Sequence, residues 1–128
     1  MADGQRIILI AADLMLASFA SETARRQGIV VQTVDEISAL QAALRGSPPA
    51  AVIIDLQMAG LEIGPATQEL RSRFKDVPII CYGRHTEPKT LRAARRAGCD
   101  VVLPRSGLMQ ELPGLLRSLS RPATEAAG

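Results

Sequence analysis

Five short apolar runs, each followed by apolar residues at helical spacing, are what most constrain the fold of this chain. The runs are Arg6 to Ala12 (RIILIAA), Ile29 to Val34, Ala51 to Asp55 (AVIID), Val77 to Tyr82 (VPIICY) and Asp100 to Leu103. Runs this short and this rich in β-branched residues read as strands covered on both faces. Between them, apolar residues recur every three or four positions. Leu16, Phe19, Ala20 and Thr23 form the first stripe; Ile37, Leu40 and Leu44 form the second, opening at Asp35 and closing at Gly46; Ala66, Leu70 and Phe74 form the third. A fourth helix opens at Thr86-Glu87-Pro88 and closes at Gly98. The last carries Leu112, Leu115, Leu116 and Leu119, and its start is placed near Met109 so that Pro113 falls in the first turn. Strand and helix alternating five times predict an α/β fold. Its sheet has five parallel strands with right-handed crossovers and helices on both faces. The domain is expected to span residues 1–121, with residues 122–128 (PATEAAG) as a flexible tail that has little to bury.

The central run places one charge, Asp55, at its end. Open parallel sheets put their ligand crevice at the carboxyl ends of the strands. A carboxylate is also cheaper at that lip than inside the run. A strand-capping role would explain Asp55 equally well. Asp13, just after the first run, reads as a helix N-cap.

Composition narrows the function. The 128 residues suffice for one domain with a real core. Aromatics are 2% of the chain, so base stacking is not a plausible activity. The formal net charge of +2 makes no case for nucleic acid. MADGQR has no signal-peptide pattern and no apolar run is long enough to span a membrane, so a cytoplasmic location is expected. Cys81 and Cys99 lie far apart in sequence, without a CxxC spacing or a histidine partner, and read as two reduced thiols. His85 is the one histidine and has no metal or triad constellation around it.

With these elements in order, the chain resembles the receiver domain of bacterial two-component response regulators, a flavodoxin-like doubly wound (βα)5 fold. The strand ending at Asp55, followed by Leu56, Gln57, Met58, Ala59 and Gly60, resembles the phosphoacceptor strand and its D-x-x-M-P-G loop. VPIICYG resembles the fourth strand, and AGCDVVLPRS the G-A-x-x-Y-L-x-K-P segment of the fifth. The resemblance implies that Asp55 is the phosphoacceptor position, charged by a histidine kinase with the help of Mg²⁺. It also implies partners at the face of the fourth helix, fifth strand and fifth helix, or a homodimer through it.

Several family positions are changed here. Where the family has two metal-holding acids, this chain has Ala11 and Ala12, and Asp13 falls one place late. Gly83 stands at the Ser/Thr position, Val102 at the aromatic switch, Arg105 at the lysine and Ser106 at the proline after it. Each missing carboxylate forfeits, in gross terms, on the order of 4 kcal/mol per unit charge at about 4 Å and an effective ε of about 20. The hydroxyl absent at Gly83 would be worth ~1.5–3 kcal/mol to a charged phosphoryl oxygen. Arg105 either reaches Asp55, standing in for the missing cation, or points to solvent.

These residues predict a receiver-like signalling module, not an enzyme, that acts by protein–protein interaction without Mg²⁺-dependent phosphorylation and holds no cofactor. Its partner is expected to be a histidine kinase or an output protein, with no nucleic acid or membrane bound by this domain. The alternative is a working receiver, phosphorylated on Asp55 in an atypical Mg²⁺ pocket. A flavin-binding enzyme ranks last, because AADLML offers no phosphate-cradling loop. Ala11, Ala12, Asp13, Gln57, Gly83 and Arg105 are the expected pocket residues around Asp55, with Gly83 and Val102 at the switch positions. Lys89, Arg92, Arg95 and Arg96 form either a solvated basic face or a docking patch for an acidic partner. Glu62 reads as solvated.

Overall fold

The β-branched runs become the strands of a single sheet. In the computed structural model, which describes residues 5–119, all strands are parallel. The elements follow in strict alternation. They are β1 (Arg6–Ile10), α1 (Leu14–Arg25), β2 (Val30–Val34), a 3-10 turn (Ile37–Ala39) leading into α2 (Leu40–Ala43), β3 (Ala51–Asp55), α3 (Ile63–Arg73), β4 (Ile79–Gly83), α4 (Pro88–Arg96), β5 (Val101–Pro104) and α5 (Arg105–Leu119). The sheet order is β2-β1-β3-β4-β5. Strand order therefore reverses between β1 and β3, the place where a doubly wound sheet opens a crevice at its carboxyl edge.

Burial follows that order. Every residue of β3 and β4 is buried, whereas the edge strands β2 and β5 are partly exposed. Alternate residues feed two cores. Ile8, Ile10, Val52, Ile54 and Cys81 face α2, α3 and α4 through Leu40, Leu44, Leu70, Phe74 and Ala94. Ile7, Leu9, Ile53, Ile80 and Tyr82 face α1 and α5 through Leu16, Ala20, Leu108, Leu112 and Leu116. One-residue alternation along each strand thus fills both sides of the sheet at once.

The structure corrects several expected boundaries. The second helix does not open at Asp35: Ile37–Ala39 make a 3-10 turn, and only Leu40–Ala43 are α-helical. In α1 the buried stripe is Leu16, Ala20 and Ala24, with Phe19 and Thr23 only partly covered. The largest correction is α5, which starts at Arg105 rather than near Met109. Leu108, Leu112 and Leu116, one turn apart, are fully buried and hold the whole segment helical against the sheet. Pro113 consequently lies inside the helix and cannot donate to the carbonyl one turn back. The Gln27 side chain donates to the Pro113 carbonyl at 3.1 Å, tying α5 to the end of α1. Residues 122–128, expected as a tail, and the domain end at 121 lie outside the described residues. No helix among the described residues is long and apolar enough to cross a membrane.

Candidate functional site

The carboxyl ends of β1, β3 and β4 surround a cleft of about 480 Å³ lined by Ala12, Asp13, Asp55, Gln57, Met58, Ala59, Tyr82, Gly83, Arg84 and Arg105. Six of these are residues that the sequence picks out: Ala12, Asp13, Asp55, Gln57, Gly83 and Arg105. Ala11 is buried behind the cleft, and Val102 is buried in the core on the α3/α4 side.

Asp55 ends β3 and is 9% exposed. Its Oδ1 accepts from the Gln57 backbone N–H at 2.8 Å, which turns the chain out of the strand. Burial raises its pKa above the ordinary carboxylate value, and the neighbouring Asp13 charge raises it further; the Gln57 N–H, the nearby Tyr82 hydroxyl and the Arg105 charge oppose this.

Asp13 is more heavily committed. Its Oδ1 caps α1 by accepting from the Leu16 N–H at 3.0 Å, as expected. The same carboxylate is gripped side-on by Arg105, with Nε to Oδ2 at 2.7 Å and Nη2 to Oδ1 at 3.0 Å. The Tyr82 hydroxyl donates to Oδ2 at 3.3 Å. The Arg105 bond holds Asp13 below the ordinary carboxylate range, against the opposing effect of burial. Asp13 in turn raises the Arg105 pKa.

Arg105 follows neither the bond to Asp55 nor the solvated course offered as alternatives by the sequence. Arg105 opens α5, and Asp13 opens α1, the helix beside it on the same face of the sheet. Asp13 is thus the carboxylate that Arg105 reaches, and Asp55 receives only its longer-range attraction.

Gly83, at the end of β4, is equally constrained. A Cβ built there would lie 3.3 Å from Gln57 Oε1, 3.3 Å from Leu91 Cδ2 and 3.4 Å from Leu56 Cδ1. A side chain there would press on the ends of Gln57, Leu91 and Leu56, each of which would have to give by a few tenths of an ångström. Tyr82 was not singled out by sequence. The signal for it is its place as the sole tyrosine at the end of a buried strand, directly paired with Asp55 in the sheet register. Burial, then the Asp55 and Asp13 charges, push its phenol pKa far up, so it remains a hydrogen-bond donor.

The donor set fits Mg²⁺ poorly. That ion requires an octahedron of hard oxygens and dehydrates reluctantly. Both Asp13 oxygens are occupied by four donors, one Asp55 oxygen accepts from Gln57, and Ala11 and Ala12 bring no oxygen side chain. Among the described residues no three His, Cys, Asp or Glu side chains are grouped as metal ligands. Glu62 and His85 are exposed.

Lys89, Arg92, Arg95 and Arg96 are all exposed on α4, while Ala94 and Leu91 turn inward. They make no ion pair with a described residue.

Comparison with known proteins agrees with this architecture. A profile of the response regulator receiver domain family matches residues 7–117. The chain belongs to that family. Full-length FixJ from B. japonicum superposes with a TM-score of 0.76 at 20% identity, over 98% of this chain and 63% of that one. The chain therefore spans less than two thirds of FixJ. The non-phosphorylated HemR receiver domain from Leptospira biflexa gives 0.74 at 18% identity, over 92% of this chain and 98% of that one. Chemotaxis response regulator CheY4 of Vibrio cholerae gives 0.75 at 17% identity, over 91% and 99%. No curated protein sequence matches the chain. The flavodoxin-like receiver fold is thus shared with these response regulators.

Proposed function

We propose that this receiver domain works as a binding module whose signal does not pass through Mg²⁺-dependent phosphorylation of Asp55. The observation that carries the reading is the two-bond clasp of Arg105 on Asp13. It uses the one acid besides Asp55 in the cleft, together with the cation at the lysine position, to join α1 to α5. What remains is Asp55 itself, its pKa raised by burial above the ordinary carboxylate value, with the cleft's other acid already engaged by Arg105. Phosphoryl transfer depends on positioning and charge neutralisation, and both are weakened here. Gly83 and Val102, at the switch positions, offer neither hydroxyl nor ring to report a phosphoryl group. On this reading the domain holds no cofactor and runs no reaction of its own.

The partner is a protein, a histidine kinase or an output protein, met in the cytoplasm. The exposed basic face of α4, with Lys89, Arg92, Arg95 and Arg96, favours an acidic docking surface or a second copy presenting one. Nucleic acid and membrane are not expected ligands. The other reading, a receiver phosphorylated on Asp55 in an atypical pocket, draws support from the open cleft in front of that residue.

Incubation with acetyl phosphate and Mg²⁺, followed by intact-mass measurement, separates the two. No mass gain is expected. A phosphoryl adduct absent from Asp55→Asn would reverse the conclusion.

A further inference from the structure

Cys81 and Cys99, unrelated by any sequence motif, meet. The Sγ atoms lie 2.7 Å apart, the Cys81 thiol pointing at Cys99. Both are free thiols. A disulfide bond measures 2.03–2.05 Å, so an approach of roughly 0.7 Å would close it.

The two cysteines have different exposure. Cys81 sits in the middle of β4 and is fully buried, whereas Cys99, in the turn between α4 and β5, is partly exposed. That turn is held from several sides. Arg71 of α3 donates to the Gly98 carbonyl at 3.2 Å and to Asp100 Oδ2 at 2.7 Å. Asp100 Oδ2 also accepts from the Ile79 N–H at 2.8 Å, and the Cys99 N–H donates to Ala94 at 3.2 Å. Gly98 takes a φ of +101°, a conformation that glycine supplies without strain. Cys99 is thus presented to Cys81 by a fixed turn rather than by chance.

We propose that this pair is an oxidation site: an accessible cysteine, Cys99, that reacts with peroxide, and a buried resolving cysteine, Cys81, that captures the product as an intramolecular disulfide. The atoms balance. The Cys99 thiolate attacks one peroxide oxygen, the O–O bond breaks, and Cys99 becomes a sulfenic acid while hydroxide leaves and is protonated to water. The Cys81 sulfur then attacks the Cys99 sulfur; the S–O bond breaks and the hydroxide departs with the Cys81 proton as a second water. Two thiols are oxidised and one peroxide is reduced. The thiol bond from Cys81 also holds the Cys99 thiol below its ordinary value, which favours the thiolate at the accessible site. The disulfide would staple β4 to the start of β5 beneath α4, and so stiffen the element that bears the basic face.

The test uses the full chain, treated with hydrogen peroxide and digested without reductant. The expected result is a peptide linking Cys81 to Cys99 in a monomer, an intact mass lower by two hydrogens, and recovery of both thiols with dithiothreitol. The oxidised chain is expected to melt above the reduced one. In Cys81→Ala, Cys99 is expected to accumulate as a dimedone-trapped sulfenic acid; in Cys99→Ser, Cys81 remains a thiol at the same dose. Full alkylation of both thiols after peroxide, a linkage only between chains, or a lower melting temperature on oxidation would overturn the proposal.

Discussion

Four donors compete for the two oxygens of Asp13, and a fifth interaction, from Gln57, holds Asp55 in the same cleft. Those bonds decide opposite fates for the two acids. Asp13 has its folded pKa depressed, so its stabilising contribution is complete above the unfolded value near 3.8 and is lost as pH falls through the folded value. Asp55 has its folded pKa raised, so its ionisation costs stability; the cost begins as pH rises past 3.8 and is complete above the folded value. Asp55→Asn should therefore melt higher than wild type at about pH 7, with the gap closing in acid. A lower melting temperature for Asp55→Asn at neutral pH would show that the carboxylate is satisfied rather than strained. Asp13→Ala should lose about 1–2 kcal/mol in chemical denaturation, since it removes a helix cap as well as the Arg105 clasp. A double-mutant cycle with Arg105→Ala should return a coupling of about 1 kcal/mol, and no coupling would mean the clasp contributes nothing in solution. Sequence could place Asp13 and Arg105 in the cleft but not together. One carboxylate ends β3 and the other caps α1, and only the packing of α1 beside α5 decides which of them lies in reach.

At the level of elements, the strands were legible because β-branched runs such as AVIID have few other uses. The helix ends were less so. Pro113 argued for a late start to α5, yet three leucines one turn apart bury fully and outweigh the lost hydrogen bond. Gly114 follows it on the exposed side, where an added Cβ meets only the flexible end of Arg117 at 3.6 Å. Gly114→Ala should accordingly stabilise the chain by roughly 0.5–1 kcal/mol, read as a higher denaturant midpoint; a fall would mean that α5 needs the glycine's freedom beside the proline. Asp35 promised a helix start, but a 3-10 turn, Ile37–Ala39, precedes the short α2, because Asp and Ser near the start compete for local backbone hydrogen bonds and β-branched Ile37 loses side-chain freedom in a helix. The meeting of Cys81 and Cys99 was invisible for a different reason: adjacency of β4 and β5 creates it, and no local spacing records adjacency.

For the whole molecule, two cores on either side of one sheet hold the receiver architecture, and the cleft at its carboxyl edge is lined by Asp13, Asp55 and Arg105 among others. There the Arg105 guanidinium grips the Asp13 carboxylate. On the proposed reading, the exposed basic face of α4 is the surface that meets a partner. Reversing Arg92 and Arg95 to Glu should abolish capture of an acidic partner without lowering the melting temperature, because both side chains are exposed; undiminished capture would remove that face from the account. The central claim concerns the cleft itself, and the most direct measurement is thermal unfolding with Mg²⁺ and beryllofluoride, which together mimic a phosphorylated aspartate. The account predicts the same melting temperature with and without them, in wild type and in Asp55→Asn alike. A rise in wild type that Asp55→Asn abolishes would contradict it.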